Sequence, residues 1–215
     1  SELSELRRDF HRHPEPGWME FRTSGRIADL LHLYGCDEVL TDQQVCKAEA
    51  RMGVPEGGGM TGVIGMLHCG MGPTVALRFD IDALPVRECE ELDHFPAQEG
   101  FRSEHAGYIT VGLGTAKLLC QMREQLHGTV KFIFQPAEEG VRGARAIVEN
   151  GHLEDVDFLL GAHMYGGSEQ HPCGICITAG HGLATTKLDV DFHGKASHAA
   201  AAPEQGNNAL LAAAT

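Results

Sequence analysis

Three short apolar runs alternate with helix-periodic segments through the middle of the chain. They are "TVALRFDID" (74–82), "TVKFIFQ" (129–135) and "VDFLLGAHM" (156–164). Each is rich in branched or aromatic residues and too short for a buried helix, so each reads as a strand. "VGLGTAKLLCQMREQL" between the first two is helical and ends near His127–Gly128. "GARAIVENG" between the second and third is a helix closed by Gly151. Strands that alternate with helices demand an α/β layered domain with a largely parallel or mixed sheet. The third run is apolar enough to suggest a strand buried on both faces. "GVIGML" precedes the first run across "HCGMGP", a spacing that suits a hairpin or two adjacent strands.

Upstream, "SELRRDFHRHPE" and "MEFRTSGRIADLLHLYG" have helical periodicity, interrupted by Pro14, Pro16 and Gly17. Phe21, Ile27, Leu30, Leu31 and Tyr34 form one candidate apolar stripe, and Gly35 stands where a C-terminal cap belongs. From about Ala184 the character changes. "TTKLDVDFHGKASHA" alternates as a half-exposed strand does, and "APEQGNNALLAAAT" starts a helix with Asn207 or Asn208 as its cap. One strand and one helix cannot enclose a core. The expected division is therefore a domain over 1–183 and the start of a second over 184–215.

Acids outnumber bases 30 to 17, for a formal charge of −13. That excludes nucleic-acid binding by phosphate neutralisation. No apolar stretch approaches the roughly 20 residues that span a bilayer. The first residues are charged and lack a signal peptide's apolar centre. Seven cysteines, an odd number, suit free thiols in a reducing cytoplasm. Cys173 and Cys176 form one Cys-x-x-Cys, but a zinc ribbon needs two such pairs, and "GICIT" reads as a strand. Thirteen histidines raise the prospect of a metal site without locating it.

Polar groups cluster just past the three strands: Asp80 and Asp82, then Glu138 and Glu139, then His163. In open α/β sheets the crevice beyond the strands' carboxyl ends is where ligands bind. Carboxylates and an imidazole converging there suit a divalent metal. Each part also has an ordinary reading: acids favour a first helical turn, Asp-x-Asp caps turns, and a single histidine after a strand is often simply hydrogen-bonded. Two adjacent glutamates need a positive partner, a shared proton or solvent. Spacing leaves these readings open.

The segments "RRDFHRHPEPGWMEFRTS", "LRFDIDALP", "FQPAEEGVRGARAIV", "GAH" and "GKASHAAAAPEQGNNALLAAA" occur in this order. In this they resemble the metal-dependent amidohydrolase branch of the peptidase family, which contains hippurate hydrolase, the auxin-conjugate hydrolases and the p-aminobenzoyl-glutamate hydrolases. The resemblance implies a three-layer zinc-peptidase-like domain with a mixed sheet, followed by the start of a ferredoxin-like lid and dimerisation domain. By matched position it implies Glu138 as general base, Glu139 and His163 as metal ligands, and Asp82 as the carboxylate that orients a ligand. Asp80 stands where other branches place a metal-binding histidine and is not expected to ligate. His198 matches a lid histidine that reaches the scissile carbonyl. The implied cofactors are two divalent metal ions, Mn or Zn, and the implied partners are a small-molecule amide and a second copy through the lid, with room for a second subunit. The implied reaction splits an amide between an acyl, typically aroyl, group and an amino acid. "GWMEFRT" and "RMGVP" point within the branch toward p-aminobenzoyl-glutamate.

The sequence also departs from the family pattern. A His-Ala-Cys-Gly-His-Asp motif, whose Cys and second His are ligands, precedes the family's helix at "VGLGTAKLL". Here "FRSEHAGYITVGLG" keeps only His105–Ala106–Gly107. Relatives also carry a longer insert between "RMGVP" and "EGGGM". The chain stops inside the lid, before the family's C-terminal metal-binding histidine. Two further readings therefore stand beside hydrolysis of aroyl amides: a module that binds substrate or a partner subunit without turnover, and an N-acyl-amino-acid deacylase.

Overall fold

The computed structural model describes residues 1–87, 101–103, 105–163, 188 and 190–214. The chain divides into two units, Ser1–Gly174 and Ile175–Thr215.

The first unit opens with helix α1, Glu2–Arg12. Ser1 accepts the Ser4 N–H, and Glu2 and Glu5 place negative charge in the first turn, where the helix dipole favours it. After the predicted break, helix α2 runs Phe21–Tyr34 and ends in the left-handed Gly35, φ 94°. Ile27, Leu30 and Leu31 are buried, but Phe21 is exposed and leaves the expected stripe.

Five strands follow: β1 Glu38–Thr41, β2 Val63–His68, β3 Thr74–Asp80, β4 Thr129–Gln135 and β5 Phe158–Gly161. Helix α3, Ala106–Gln121, connects β3 to β4, and the short helix α4, Gly143–Val148, connects β4 to β5. The sheet order is β1-β2-β4-β3-β5. β1 and β2, and β2 and β4, pair antiparallel; β3 pairs parallel with β4 and with β5. The sheet is thus mixed.

Two expectations are corrected here. β2 and β3 are neither a hairpin nor neighbours, because β4 inserts between them and pairs with both. β5 is not buried on both faces: among the described residues it pairs with β3 alone, and Phe158, Leu159 and Leu160 are exposed. An apolar run reports what a strand can bury, and its neighbours decide what it does bury.

β4 shows how the period of two builds the layers. Phe132 and Phe134 face one cluster, with Leu6 and Phe10 of α1, Ile27 and Leu31 of α2, and Ile109 and Leu113 of α3. Ile133 faces the other, with Trp18, Val45, Ile64 and Ala146. Helices on both sides of one sheet make three layers. Fully burying each such side chain contributes about 1.5–3 kcal/mol relative to exposure.

In the second unit the expected strand at 185–199 is not a regular strand among the described residues. Only the bridge Lys195–Asn207 forms. The expected cap does form: Asn208 Oδ1 accepts the Leu210 and Leu211 N–H groups at 3.0 and 3.2 Å, opening helix α5, Ala209–Ala214. Cys173 and Cys176 lie outside the described residues. The described cysteines Cys36, Cys46, Cys69 and Cys120 are free thiols. Among the described residues no helix is long and apolar enough to cross a membrane.

Candidate functional site at the carboxyl ends of strands β3 and β4

Strands β3, β4 and β5 run parallel, so their carboxyl ends lie along one rim of the sheet. Asp80 pairs in register with Gln135, and Arg78 with Gly161. The segments that leave this rim carry Asp82, Glu138, Glu139 and His163.

The turn after β4 is held in an unusual backbone shape. Ala137 is fully buried with φ 47°, and Val141 has φ 57°. Non-glycine residues seldom adopt such angles. The turn is fastened from several sides. Val141 N–H donates to Glu138 O at 2.7 Å, and Gly143 N–H to Ala137 O at 2.9 Å. Arg142 Nε donates to Glu139 O at 3.0 Å, and its guanidinium donates to Gly53 O at 2.8 Å. Gly143 must be glycine here, since a Cβ would lie 1.7 Å from Pro136 O. Gly143→Ala is therefore expected to cost about 1–3 kcal/mol, measured as a lower urea midpoint at an unchanged slope.

His105, immediately before α3, is 1% exposed. Its Nδ1 lies 2.9 Å from Asp82 O and 3.2 Å from Asp82 Oδ1. A backbone carbonyl only accepts, so Nδ1 carries the hydrogen. Nε2 then faces the acid pair, 3.8 Å from both Glu138 Oε2 and Glu139 Oε1. Those separations exceed hydrogen-bond length. Burial opposes protonation of His105, but the Asp82 hydrogen bond and the charges of Asp82, Asp80 and Glu138 outweigh it and raise its pKa. This imidazole is the group that faces the adjacent glutamates.

Asp82 also accepts the Glu139 N–H at Oδ2, 2.9 Å. One buried carboxylate thus orients both the imidazole and the turn. Asp80 is fully buried and paired by charge with Arg78, yet neither of its oxygens accepts a hydrogen bond. Burial pushes its pKa up to about 7; Arg78 opposes the rise and Glu138 adds to it. His163 is exposed, and its Nδ1 lies 3.1 Å from the Tyr108 hydroxyl. The Tyr108 ring in turn lies 5.4 Å from that of His105. His198 belongs to the second unit, where its Nδ1 accepts the Ala200 and Ala201 N–H groups at 3.2 and 3.1 Å.

Asp80, His105 and Glu138 each bring one donor atom within 4.8 Å of the others. The mixed N and O donors, with Nε2 of His105 and the buried carboxylate of Asp80 that lacks a hydrogen bond, fit a divalent ion. Among the described residues this is the one group of three such donors. Glu139 Oε1 lies 3.8 Å from the same nitrogen. Sequence reasoning passes over His105 as a donor. Its signal is the family motif's first histidine, left standing where the ligands beside it are missing.

Comparison with known proteins identifies the family. Residues 76–215 match Peptidase family M20/M25/M40. The chain is 40% identical to one subunit of the p-aminobenzoyl-glutamate hydrolase of Escherichia coli over 247 residues, 99% of this chain and 56% of the relative. It is also 40% identical to indole-3-acetyl-aspartic acid hydrolase of Enterobacter agglomerans over 248 residues, 99% of this chain and 56% of that protein. The chain thus spans about half the length of these relatives. A match over 247 positions against 215 residues leaves at least 32 positions without a residue here, in keeping with internal gaps. Among solved structures, an aminobenzoyl-glutamate utilization protein from Klebsiella pneumoniae superimposes with a TM-score of 0.64 at 35% identity, over 76% of this chain and 43% of that one. A dinuclear metal-binding peptidase of the M20 family from Bacillus subtilis does so with a TM-score of 0.64 at 37% identity, over 74% and 41%. The mixed sheet, the acid pair at its rim and these matches together establish that the chain belongs to Peptidase family M20/M25/M40.

Proposed function

We propose that this chain is the catalytic part of a metal-dependent amidohydrolase that splits an aroyl or acyl amino-acid amide, p-aminobenzoyl-glutamate first among them, into acid and amino acid. The observation that carries the reading is the acid pair facing one oriented imidazole. The names of the two 40% identical relatives support the substrate class, since both describe amides of an acidic amino acid.

The roles divide by geometry and by family position. His105 Nε2 is the shared donor, with Asp80 and Glu138 within 4.8 Å and Glu139 at 3.8 Å. Glu139 and His163 are the other ligands in this reading, because Glu138 must stay free to move a proton. Asp82 holds His105 in the Nδ1–H tautomer, the usual support of a metal-binding imidazole. A divalent ion, Mn or Zn, supplies Lewis acidity when bound, lowering the pKa of water and polarising the amide carbonyl. Glu138 accepts the proton of the attacking water and returns it to the leaving nitrogen. His198 is assigned to the developing oxyanion. The Escherichia coli relative is named as one subunit of its enzyme, which supports a partner subunit here too, beside a second copy through the lid.

The test is product release from p-aminobenzoyl-glutamate, indole-3-acetyl-aspartate and acetyl-glutamate, with Mn²⁺ or Zn²⁺ added. The expected result is cleavage of the aroyl amide at least about tenfold faster than of the acetyl one, a preference of about 1.4 kcal/mol. Metal binding without cleavage of any of the three would leave the non-catalytic module in place of this reading.

A further inference from the structure

Glu20 stands at the N-terminal end of α2 and is fully buried. A polar residue there ordinarily serves the helix's own unpaired N–H groups. Glu15 does so instead: its two carboxylate oxygens accept the Arg22 and Thr23 N–H groups at 3.0 and 2.7 Å. Glu20 is left to turn inward. Its Oε2 accepts the Thr61 hydroxyl at 2.7 Å, and its Oε1 accepts the Ala137 N–H at 2.7 Å, across 117 residues of sequence.

Ala137 is the residue with φ 47° that leads directly into Glu138. Its amide is donated to Glu20, and the amide two residues on, that of Glu139, is donated to Asp82. Two buried carboxylates from separate segments thus clamp alternate amides of one turn. A neutral apolar side chain would fill the space of Glu20 without burying an acid, but it would leave two converging donors, Thr61 O–H and Ala137 N–H, without an acceptor.

We propose that Glu20 is a positioning residue: by holding the Ala137 amide it sets the turn that presents Glu138 and Glu139 to His105. The inference rests on the reading of Glu138 as the proton carrier. Glu20→Gln preserves the arrangement, because its Oε1 accepts from Ala137 while its amide donates to Thr61 Oγ1, a hydroxyl that can reverse its role. Glu20→Ala removes both contacts.

The test uses the 215-residue chain in two arms. Amide hydrogen exchange is followed at Ala137 and Glu139 against amides of β2 and β4, and turnover of p-aminobenzoyl-glutamate is followed with Mn²⁺. Glu20→Ala is expected to speed exchange at the two turn amides about 100-fold relative to the strand amides. It is expected to lower kcat about 50-fold with KM within about threefold. Glu20→Gln should restore both within about fivefold. Exchange that rises equally everywhere in Glu20→Ala, or not at all at the turn, overturns the proposal. A wild-type chain without turnover defeats the hydrolase reading, while the exchange arm still decides this one. If Glu20→Ala does not fold, coupling across the hydrogen bond between the Ala137 amide nitrogen and the Glu20 carboxyl carbon in the wild-type chain decides it. Observed coupling supports the proposal and its absence overturns it.

Discussion

Glu138→Gln is expected to lower turnover of p-aminobenzoyl-glutamate about 10³-fold while leaving Mn²⁺ affinity within about threefold. The rate loss follows from removing a positioned proton acceptor, an effect that spans about 10²–10⁴-fold. Glutamine keeps the size of the side chain, so the turn held by Asp82 and Arg142 is undisturbed. The affinity arm separates two uses of the same residue. Glu138 lies within 4.8 Å of Asp80 and His105, a set that can hold an ion without Glu139. If that set were the ligand set, Glu138→Gln would weaken binding and Glu139→Gln would not. Isothermal titration of both variants with Mn²⁺ distinguishes the arrangements. Glutamate as proton carrier requires the opposite pattern: binding lost with Glu139 and turnover lost with Glu138.

The second large effect is a loss of stability as pH rises. Burial pushes the Glu20 carboxyl from 4.5 up to about 7, although its hydrogen bonds with Thr61 and Ala137 resist the shift. The unfolded chain releases this proton near 4.5, whereas the folded chain holds it until about 7. The unfolded state therefore binds fewer protons in that window, and the contribution of Glu20 is fully present below about 4.5 and lost as pH climbs through 7. A displacement of this size corresponds to about 3 kcal/mol. Asp80, also raised to about 7 chiefly by burial, adds a loss in the same direction. Urea unfolding at pH 5 and pH 8 isolates the Glu20 share by comparison with Glu20→Gln. The wild type should lose about 2.5 kcal/mol more than the variant over this interval. Equal losses would mean that Glu20 titrates normally.

The pattern of the sequence reveals local structure better than it reveals partners. The break at Pro14–Gly17, the cap at Gly35 and the cap at Asn208 are decided within a few residues, and they form as read. The insertion of β4 between β2 and β3 is decided by pairing across the sheet, which no local pattern encodes. β5 has the composition of a covered strand, but among the described residues it pairs with β3 alone and Phe158, Leu159 and Leu160 are exposed.

The candidate site divides in the same way. Asp82, Glu138, Glu139 and His163 stand directly after strands, so topology alone brings them to one rim. His105 and Glu20 do not follow strands. Their places depend on contacts to Asp82 and Ala137 that lie 23 and 117 residues away. A glutamate before a helix reads as a cap until Glu15 is seen to hold that role.

In the proposed hydrolase, His105 and Glu139 gather a divalent ion while Glu138 stays free beside it. Anomalous diffraction from crystals of this chain soaked in Mn²⁺ bears on this division of roles without any intervening assumption about substrate. The expected result is an anomalous peak in bonding contact with His105 Nε2 and a Glu139 oxygen, with no bond to Glu138. A peak bound by Asp80, His105 and Glu138, or none near His105, would contradict it.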